Sequence, residues 1–148
     1  MGINSLKEFL IKAKRDGYAA GNQIKEVDGS YSTRFDDGDF KFHDNWLGGE
    51  PFGGREVVFY KRKPYWMMVY YGADLTGKDS AIPTLKKALS QTPDDFPARG
   101  PKSLKEKEFE YKNKWQGNIE KFSGEEKISK KGKIVYSANY AGGLVNRV

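Results

Sequence analysis

The sequence predicts an α+β fold in which two similar units, each a helix followed by an antiparallel sheet, share one core. Two stretches of the chain resemble each other: residues 40–48 align with residues 109–117, and residues 52–72 align with residues 122–142. Ten of the thirty aligned positions are identical, where chance gives about two. A helical pattern precedes each stretch, and apolar alternation within each stretch is typical of strands. These observations indicate an internal duplication.

The predicted copies belong to one domain. The chain has 148 residues, a size that fits a single domain with one core. We predict a single domain over residues 1–148, with internal copies at about 5–75 and 79–145 and a connector at 92–101. Because each copy is short, we expect both copies to bury their aromatic rings against a common interior.

Composition excludes several classes of protein. The chain has no cysteine, so neither disulfide bonds nor thiolate metal ligands are available. No apolar run has the length of a signal peptide or of a membrane span, and we expect a soluble, cytoplasmic protein with no membrane partner. The net charge of +6 comes from 26 basic and 20 acidic residues in mixed order, which is typical of a solvated surface.

The first predicted element is a helix near the N-terminus. Ser5 and Glu8 have the spacing of a capping box, in which the hydroxyl accepts from a backbone N–H and the carboxylate reaches back. Apolar residues then recur at helical spacing between basic ones. The predicted buried face consists of Leu6, Phe9, Leu10 and Ala13.

Alternation predicts the first strand of each copy. Phe40 and Phe42 point to one side of a strand, and the second copy repeats this pattern with Phe109 and Tyr111. The residues between them are polar or charged. One face of each strand is therefore expected to be buried and the other exposed.

Each copy next contains a predicted hairpin. Tight basic turns at residues 61–64 and 130–133 separate two strand patterns in each copy. Residues 65–71 are apolar on both faces. We therefore predict a central strand there, with a helix over one face and other elements or a pocket over the other.

A second helix and a connector complete the predicted elements. The helix is predicted to begin near Asp79 or Ser80, to accept Pro83 in its first turn and to end at about Gln91. Residues 92–101 contain three of the six prolines. They predict a stiff connector between the copies.

Several Gly and aromatic motifs recur along the chain: Phe35-Asp36-Asp37-Gly38-Asp39-Phe40, Trp46-Leu47-Gly48-Gly49, Phe52-x-Gly54-x-Glu56 and Pro64-x-Trp66-x-Met68-x-Tyr70-x-Gly72. Together they resemble a bacterial family that is a domain of unknown function. The resemblance spans most of the chain and carries no catalytic signature. It implies a stand-alone small protein or a module fused behind a helix-turn-helix region, with a regulatory role. No helix-turn-helix segment lies among these residues, so DNA binding is not carried over.

Two glutamates are candidate catalytic residues. Glu56 and Glu126 occupy the same place in the two copies, each two residues after a glycine. If a twofold axis relates the copies, the two carboxylates face a shared cleft and can do general acid/base work, with Arg55 or Arg99 as electrostatic support. They can equally anchor backbone N–H groups or pair with the repeated lysines of the hairpin turns. We favour the structural interpretation and keep a small hydrolase or lyase as the alternative function.

Aromatic residues predict a pocket. Trp46 and Trp115 match between the copies, each two residues before a glycine. Repeated tryptophans also serve as core or loop anchors, and that alternative stays open. The candidate ligand-binding residues are Trp46, Trp66, Tyr70, Trp115, Tyr136, Tyr140 and Arg99.

We predict no metal site and no cofactor. His43, the only histidine, lies in an acidic neighbourhood, but its counterpart in the second copy is Lys112. The acidic residues around Gly38 resemble a calcium loop, yet the position where the closing carboxylate belongs is Leu47. A turn explains this acidic cluster better.

The leading functional hypothesis is a non-catalytic binding module with an aromatic-lined pocket for a small molecule or a protein partner. The hydrolase or lyase is the second hypothesis. A weak binder of single-stranded nucleic acid is the third, because basic residues and exposed rings can follow a single strand. It is not favoured, since lysines at hairpin turns also prevent strand edges from pairing.

Overall fold

One antiparallel sheet of nine strands forms the body of the part of the protein that the structure describes. The computed structural model describes residues 2–17, 22–76 and 81–146, and within them two short helices pack against one face of the sheet. The helices are α1 (Ile3–Lys12), which continues into a π-helical segment (Ala13–Gly17), and α2 (Ile82–Leu89). The strands are β1 (Ile24–Lys25), β2 (Tyr31–Asp37), β3 (Phe40–Gly48), β4 (Phe52–Tyr60), β5 (Lys63–Asp74), β6 (Ser103–Glu106), β7 (Phe109–Asn118), β8 (Lys121–Lys130) and β9 (Lys133–Leu144).

The strand order is β1-β2-β3-β4-β5-β9-β8-β7-β6, so two meanders, β2 to β5 and β6 to β9, meet where β5 pairs with β9. That pairing is antiparallel and runs from Trp66 opposite Leu144 to Asp74 opposite Tyr136. The predicted fold of two helix-plus-sheet units is therefore wrong, because the strands form one continuous sheet. The last strand of each meander has an open edge, and pairing the two edges satisfies the backbone N–H and C=O groups of both. The internal duplication stays a prediction.

The first helix begins earlier than predicted. It starts at Ile3, and no side chain caps its N-terminus, so the predicted capping box of Ser5 and Glu8 is wrong. Ile3 packs against the core, and this contact favours the earlier start. The predicted buried face is confirmed, since Leu6, Phe9, Leu10 and Ala13 are all buried.

The second helix carries Pro83 in its first turn, as predicted. It ends at Leu89 rather than at about Gln91. The predicted start, Asp79 or Ser80, lies outside the described residues. The helices of the described residues are too short and too polar to span a bilayer.

Both predicted hairpins are present. Their turns are residues 61–62, with φ of 48° and 70°, and residues 131–132, with φ of 51° and 79°. Positive φ at both central residues is typical of two-residue hairpin turns. The start of β5 pairs with the end of β9, so the two basic turns lie at opposite ends of the sheet.

The core lies between the helices and the inner face of the sheet, defined as the face that bears Phe42, Met68 and Ile128. Two clusters of buried side chains divide this core. The first places α1 over Phe42, Val58, Trp66 and Met68. The second places α2 over Tyr111, Ile128, Tyr136 and Ala138.

Strand β5 lies at the centre of the sheet, but its outer face is open. Trp66 and Met68, on the inner face, are fully buried, whereas Val69 is 48% and Tyr71 62% exposed on the outer face. The predicted cover on both faces is therefore wrong. Both described helices pack on the inner face, where the larger apolar side chains of the neighbouring strands also lie.

Candidate functional site

A cavity of about 500 Å³ lies between the inner face of the sheet and α2. Trp46, Phe52 and Tyr70 form its aromatic wall, and Leu85 and Leu89 of α2 form an aliphatic wall. This volume lies within the range of small-molecule sites in proteins. The cavity is therefore the candidate site.

Glycines in β4 and β8 allow two tyrosine rings to lie across the inner face. Tyr70 is opposite Gly54, and a Cβ on Gly54 would stand 2.6 Å from the Tyr70 hydroxyl oxygen. A Cβ on Gly124 would lie closer still to the ring of Tyr140. Since nothing larger than glycine fits under either ring, each tyrosine reaches across one strand to the next. This contact is the physical reason for the glycine two residues before each glutamate.

The two tyrosines make matching hydrogen bonds. The Tyr70 hydroxyl donates to Oδ1 of Asp44 at 2.5 Å, and the Tyr140 hydroxyl donates to Oδ1 of Asn113 at 2.5 Å. Asp44 and Asn113 hold corresponding positions in β3 and β7, each directly opposite a buried glutamate. The halves of the sheet thus share one polar arrangement but differ in charge, because only Asp44 is an acid.

Buried cations hold the two glutamates. Lys14, in the π-helical segment, donates to Oε1 of Glu56. Arg99 donates through Nη2 to Oε1 of Glu126 at 2.5 Å, and its Nη1 lies 3.8 Å from Oε2 of Glu56. Lys14 and both glutamates are fully buried, and the Arg99 side chain is 4% exposed. One guanidinium group therefore bridges both glutamates, and the hairpin lysines do not pair with them.

Tyrosines complete the surroundings of Glu126. Tyr111 donates to its Oε2 at 2.5 Å, and Tyr136 donates to its Oε1 at 3.5 Å. Burial raises the pKa of Tyr111, so its hydroxyl keeps the proton that it donates. The Gly100 N–H donates to the Tyr111 oxygen at 3.2 Å, and the Gly100 carbonyl accepts from Nδ2 of Asn113 at 2.8 Å. These bonds tie the connector to the inner face.

The pKa of the Asp44 carboxyl group is raised toward neutral pH. Burial, followed by the charge of Glu56, raises the pKa of Asp44 to about 7, against the opposing effects of Tyr70, Lys14 and Arg99. Burial also lowers the pKa of Lys14, against the charge of Glu56. The cluster of Asp44, both glutamates, Lys14 and Arg99 holds three carboxylates and two cations. A proton on Asp44 removes the excess negative charge.

We expect the raised pKa of Asp44 to make the protein less stable as pH rises. An unfolded aspartate has a pKa of about 4, so between about pH 4 and pH 7 the folded state binds the extra proton. The free energy of unfolding should therefore fall across this window and level off above it. Asp44→Asn should remove this slope and should stabilise the protein at about pH 8 by on the order of 1–3 kcal/mol. Urea unfolding at about pH 5 and about pH 8 measures both effects.

Asp36→Asn is the matched control, because Asp36 is exposed and pairs only with Lys41 among the contacts that the structure shows. This variant should keep the wild-type slope. Asn113 already holds the corresponding position with an amide, so the amide introduced by Asp44→Asn can accept from Tyr70 in the same way. An unchanged slope in Asp44→Asn would contradict the assignment.

The cavity brings together three of the predicted ligand-binding residues, Trp46, Tyr70 and Arg99. Two others lie in the first core cluster or against it. Trp66 is fully buried and donates through Nε1 to the carbonyl of Ile119 at 2.9 Å. Trp115 packs on that cluster at the far side of the sheet from β3. The remaining candidates are buried and do not line the cavity: Tyr136, Tyr140, Glu56 and Glu126.

The sequence interpretation missed Lys14, Asp44 and Phe96. Lys14 resembles any charged residue of an amphipathic helix, and only its partner reveals its burial. Asp44 carried a usable signal, since it occupies an inward position between Phe42 and Trp46 in the alternation of β3. Phe96 is an aromatic residue inside a proline-rich connector, which is unusual for a segment that only links two elements.

Comparison with known proteins identifies a family. Neither a curated protein nor a solved structure matches the chain significantly. Residues 44–145, more than half of the chain, match the family described as Domain of unknown function (DUF5680). The matched range includes Asp44, Tyr70, α2 and the connector with Arg99. Both α1 and the π-helical segment with Lys14 precede it. The chain therefore belongs to the family Domain of unknown function (DUF5680).

Proposed function

We propose that the protein is a non-catalytic binding module whose cavity takes a small molecule. The observation that supports this most strongly is the cavity of about 500 Å³, which combines aromatic and aliphatic walls with buried charged side chains. Sites for small ligands have this composition, in which apolar walls bind the body and a few polar groups fix its orientation. A protein partner is less favoured, because protein interfaces bury about 800 Å² on each side and are rarely so concave.

The buried cluster of Asp44, both glutamates, Lys14 and Arg99 supports a preformed site. Tyr70 is held by Asp44, and Arg99 is held by Glu126, so two lining side chains have fixed positions before any ligand arrives. A buried network of this kind rigidifies the side chains that it joins. The ligand therefore loses little binding energy to reorganisation of the protein.

A hydrolase or lyase based on Glu56 and Glu126 is less favoured. A general acid or base must come within hydrogen-bond reach of the substrate. Both glutamates are fully buried, both are held by cations, and neither lines the cavity. Their arrangement supports a role in holding the inner face together.

Single-stranded nucleic acid is also less favoured. The basic turns at residues 61–62 and 131–132 lie at opposite ends of the sheet, so they do not form one continuous basic strip. Lys130 and Lys131 also pair with Glu108, which reduces the charge that they offer to phosphate. A regulatory role and a cytoplasmic location stay predictions from the sequence.

A thermal-shift screen of metabolites tests the proposed function. A ligand that binds only the folded protein, at about 100 times its Kd, adds about 2.7 kcal/mol to the free energy of unfolding. The melting temperature should then rise by several degrees. For each ligand found, Trp46→Leu should weaken binding about tenfold, because the ring forms part of the cavity wall.

Trp115→Leu is the matched control for Trp46→Leu. Trp115 holds the corresponding strand position but lies outside the cavity, so its loss should leave the affinity unchanged. Equal loss of affinity in both variants would place the ligand elsewhere. A screen without any stabilising compound would contradict the proposed function, and binding that falls steeply with salt for oligonucleotides alone would favour the nucleic-acid alternative.

A further inference from the structure

The aromatic wall of the cavity has a counterpart in the other half of the sheet. Phe52 and Tyr70 form a tilted ring pair with centroids 6.2 Å apart and planes at 57°. Phe122 and Tyr140 form a pair with centroids 6.1 Å apart and planes at 52°. Each phenylalanine lies opposite a glycine of the neighbouring strand. The two halves therefore present nearly the same arrangement of rings.

A tryptophan completes each wall. Trp46 lies opposite Gly54, and Trp115 lies opposite Gly124. These are the glycines under the rings of Tyr70 and Tyr140. Each wall thus consists of one tryptophan, one phenylalanine and one tyrosine at corresponding positions.

The chain itself provides the ring that covers the second wall. Phe96 of the connector stacks on Trp115, with centroids 4.4 Å apart and planes at 10°. It also meets Phe122 edge-on, at 5.2 Å and 86°, and is 1% exposed. Trp46 and Phe52, the counterparts of Trp115 and Phe122, line the cavity, and Tyr31 of the neighbouring strand, which does not line it, stacks on Trp46 with centroids 6.0 Å apart. The contacts of Phe96 therefore show what kind of group such a wall binds.

The rim of the cavity is positively charged. Arg15 and Lys86 line the cavity and are exposed, and neither forms an ion pair with a carboxylate of the described residues. Glu50 also lines the cavity and accepts the backbone N–H of Asp74, so these two cations outnumber its single carboxylate. Two unpaired cations at an apolar opening favour a ligand with a negative charge near its solvent-facing end.

We infer that the cavity binds a small aromatic anion, with its ring stacked on Trp46 and edge-on to Phe52 as Phe96 is placed on Trp115 and Phe122. Its carboxylate or phosphate group lies at the rim with Arg15 and Lys86. This inference rests on the proposed function and adds the chemical class of the ligand. The ring contributes shape and stacking, and the charge sets the orientation.

Calorimetric titration with matched probes tests the inference. The probes are 2-naphthoate, its saturated analogue decahydro-2-naphthoate, the neutral 2-naphthamide and 2-naphthyl phosphate. We expect 2-naphthoate to bind about fivefold more tightly than the saturated acid, because only a flat ring stacks. It should also bind about threefold more tightly than the amide. Comparison of the naphthoate with the phosphate identifies which anion the rim prefers.

Two tryptophan variants and one spectroscopic measurement locate the ring, and a third variant, at Lys86, tests the charge. Stacking on Trp46 should shift the naphthyl proton resonances upfield, and Trp46→Leu should abolish this shift while Trp115→Leu retains it. Lys86→Gln should weaken 2-naphthoate about threefold and leave 2-naphthamide unchanged, since only the acid carries the charge. Melting curves of each variant establish that it is folded.

The outcomes separate this inference from the proposed function. Equal affinity for the flat and saturated acids, or upfield shifts that survive Trp46→Leu, would overturn the aromatic-anion inference. If no naphthyl probe binds but other metabolites stabilise the protein in a Trp46-dependent manner, the inference fails and the proposed function stands. If neither the probes nor the metabolites bind, both fail.

Discussion

Replacing Arg99 with methionine is expected to lower the free energy of unfolding by about 3–5 kcal/mol, as measured by urea denaturation near neutral pH. Arg99 contacts Glu126 directly and lies 3.8 Å from Glu56, and both glutamates are fully buried. Methionine preserves much of the side-chain volume but provides no charge. The two carboxylates would then share Lys14 as their only buried cation within the described cluster, and an uncompensated buried charge is costly.

A second substitution distinguishes charge from packing in this prediction. If the loss comes from the uncompensated carboxylate, adding Glu126→Gln to Arg99→Met should recover a large part of the lost stability. The amide can still accept from Tyr111, which donates to this side chain in the native protein. A double variant no more stable than Arg99→Met would show that lost packing, and not charge, explains the effect. Lys127→Met is the surface control, because its ion pair with Glu125 is about half exposed and should contribute little.

Replacing Phe96 with alanine is expected to lower the free energy of unfolding by about 3–5 kcal/mol. Phe96 is 1% exposed and contacts the rings of both Trp115 and Phe122, so its removal leaves an apolar space beside two large rings. It also anchors the connector that carries Arg99, three positions further along the chain. The loss should therefore lie toward the upper end of the range. Urea unfolding of both proteins measures it.

The space left by Phe96→Ala should bind a small aromatic molecule. Apolar cavities of this kind stay dry and accept benzene. Benzene should raise the melting temperature of Phe96→Ala more than that of the wild-type protein. Phe96→Leu is the control, because leucine refills most of the volume, so its stability loss and its response to benzene should both be smaller. Equal responses of all three proteins would contradict the view that the second wall is a ring-binding surface.

Local patterns in the sequence predicted several elements correctly. Alternation identified the buried face of the strands that begin at Phe40 and Phe109, and helical spacing identified the buried face of α1. The hairpin turns were also correct, because two-residue turns depend on local backbone preferences. The capping box at Ser5 was wrong because the contact of Ile3 with the core outweighs a weak local signal.

The candidate site was only partly predictable. Trp46 and Tyr70 were identified as aromatic positions and Arg99 as electrostatic support for the two glutamates, and all three line the cavity. Lys14 and Asp44 were missed, because a charged residue on a helix or strand is normally exposed. The burial of such a residue depends on a partner from a distant part of the chain, and the sequence does not identify that partner.

What the sequence determined by itself was the apolar side of α1 and of the strands that begin at Phe40 and Phe109, since a period of 3.6 or 2 residues is a local property. Only the tertiary structure decided that β5 pairs with β9 to make a single sheet, because the strand edges that meet are distant in sequence and similar in composition. Only the tertiary structure, likewise, brings four charged residues into one buried cluster: Lys14, Glu56, Arg99 and Glu126. The ion pairs of this cluster become strongly favourable only when the whole fold removes the charged groups from water, because an unpaired buried charge is costly.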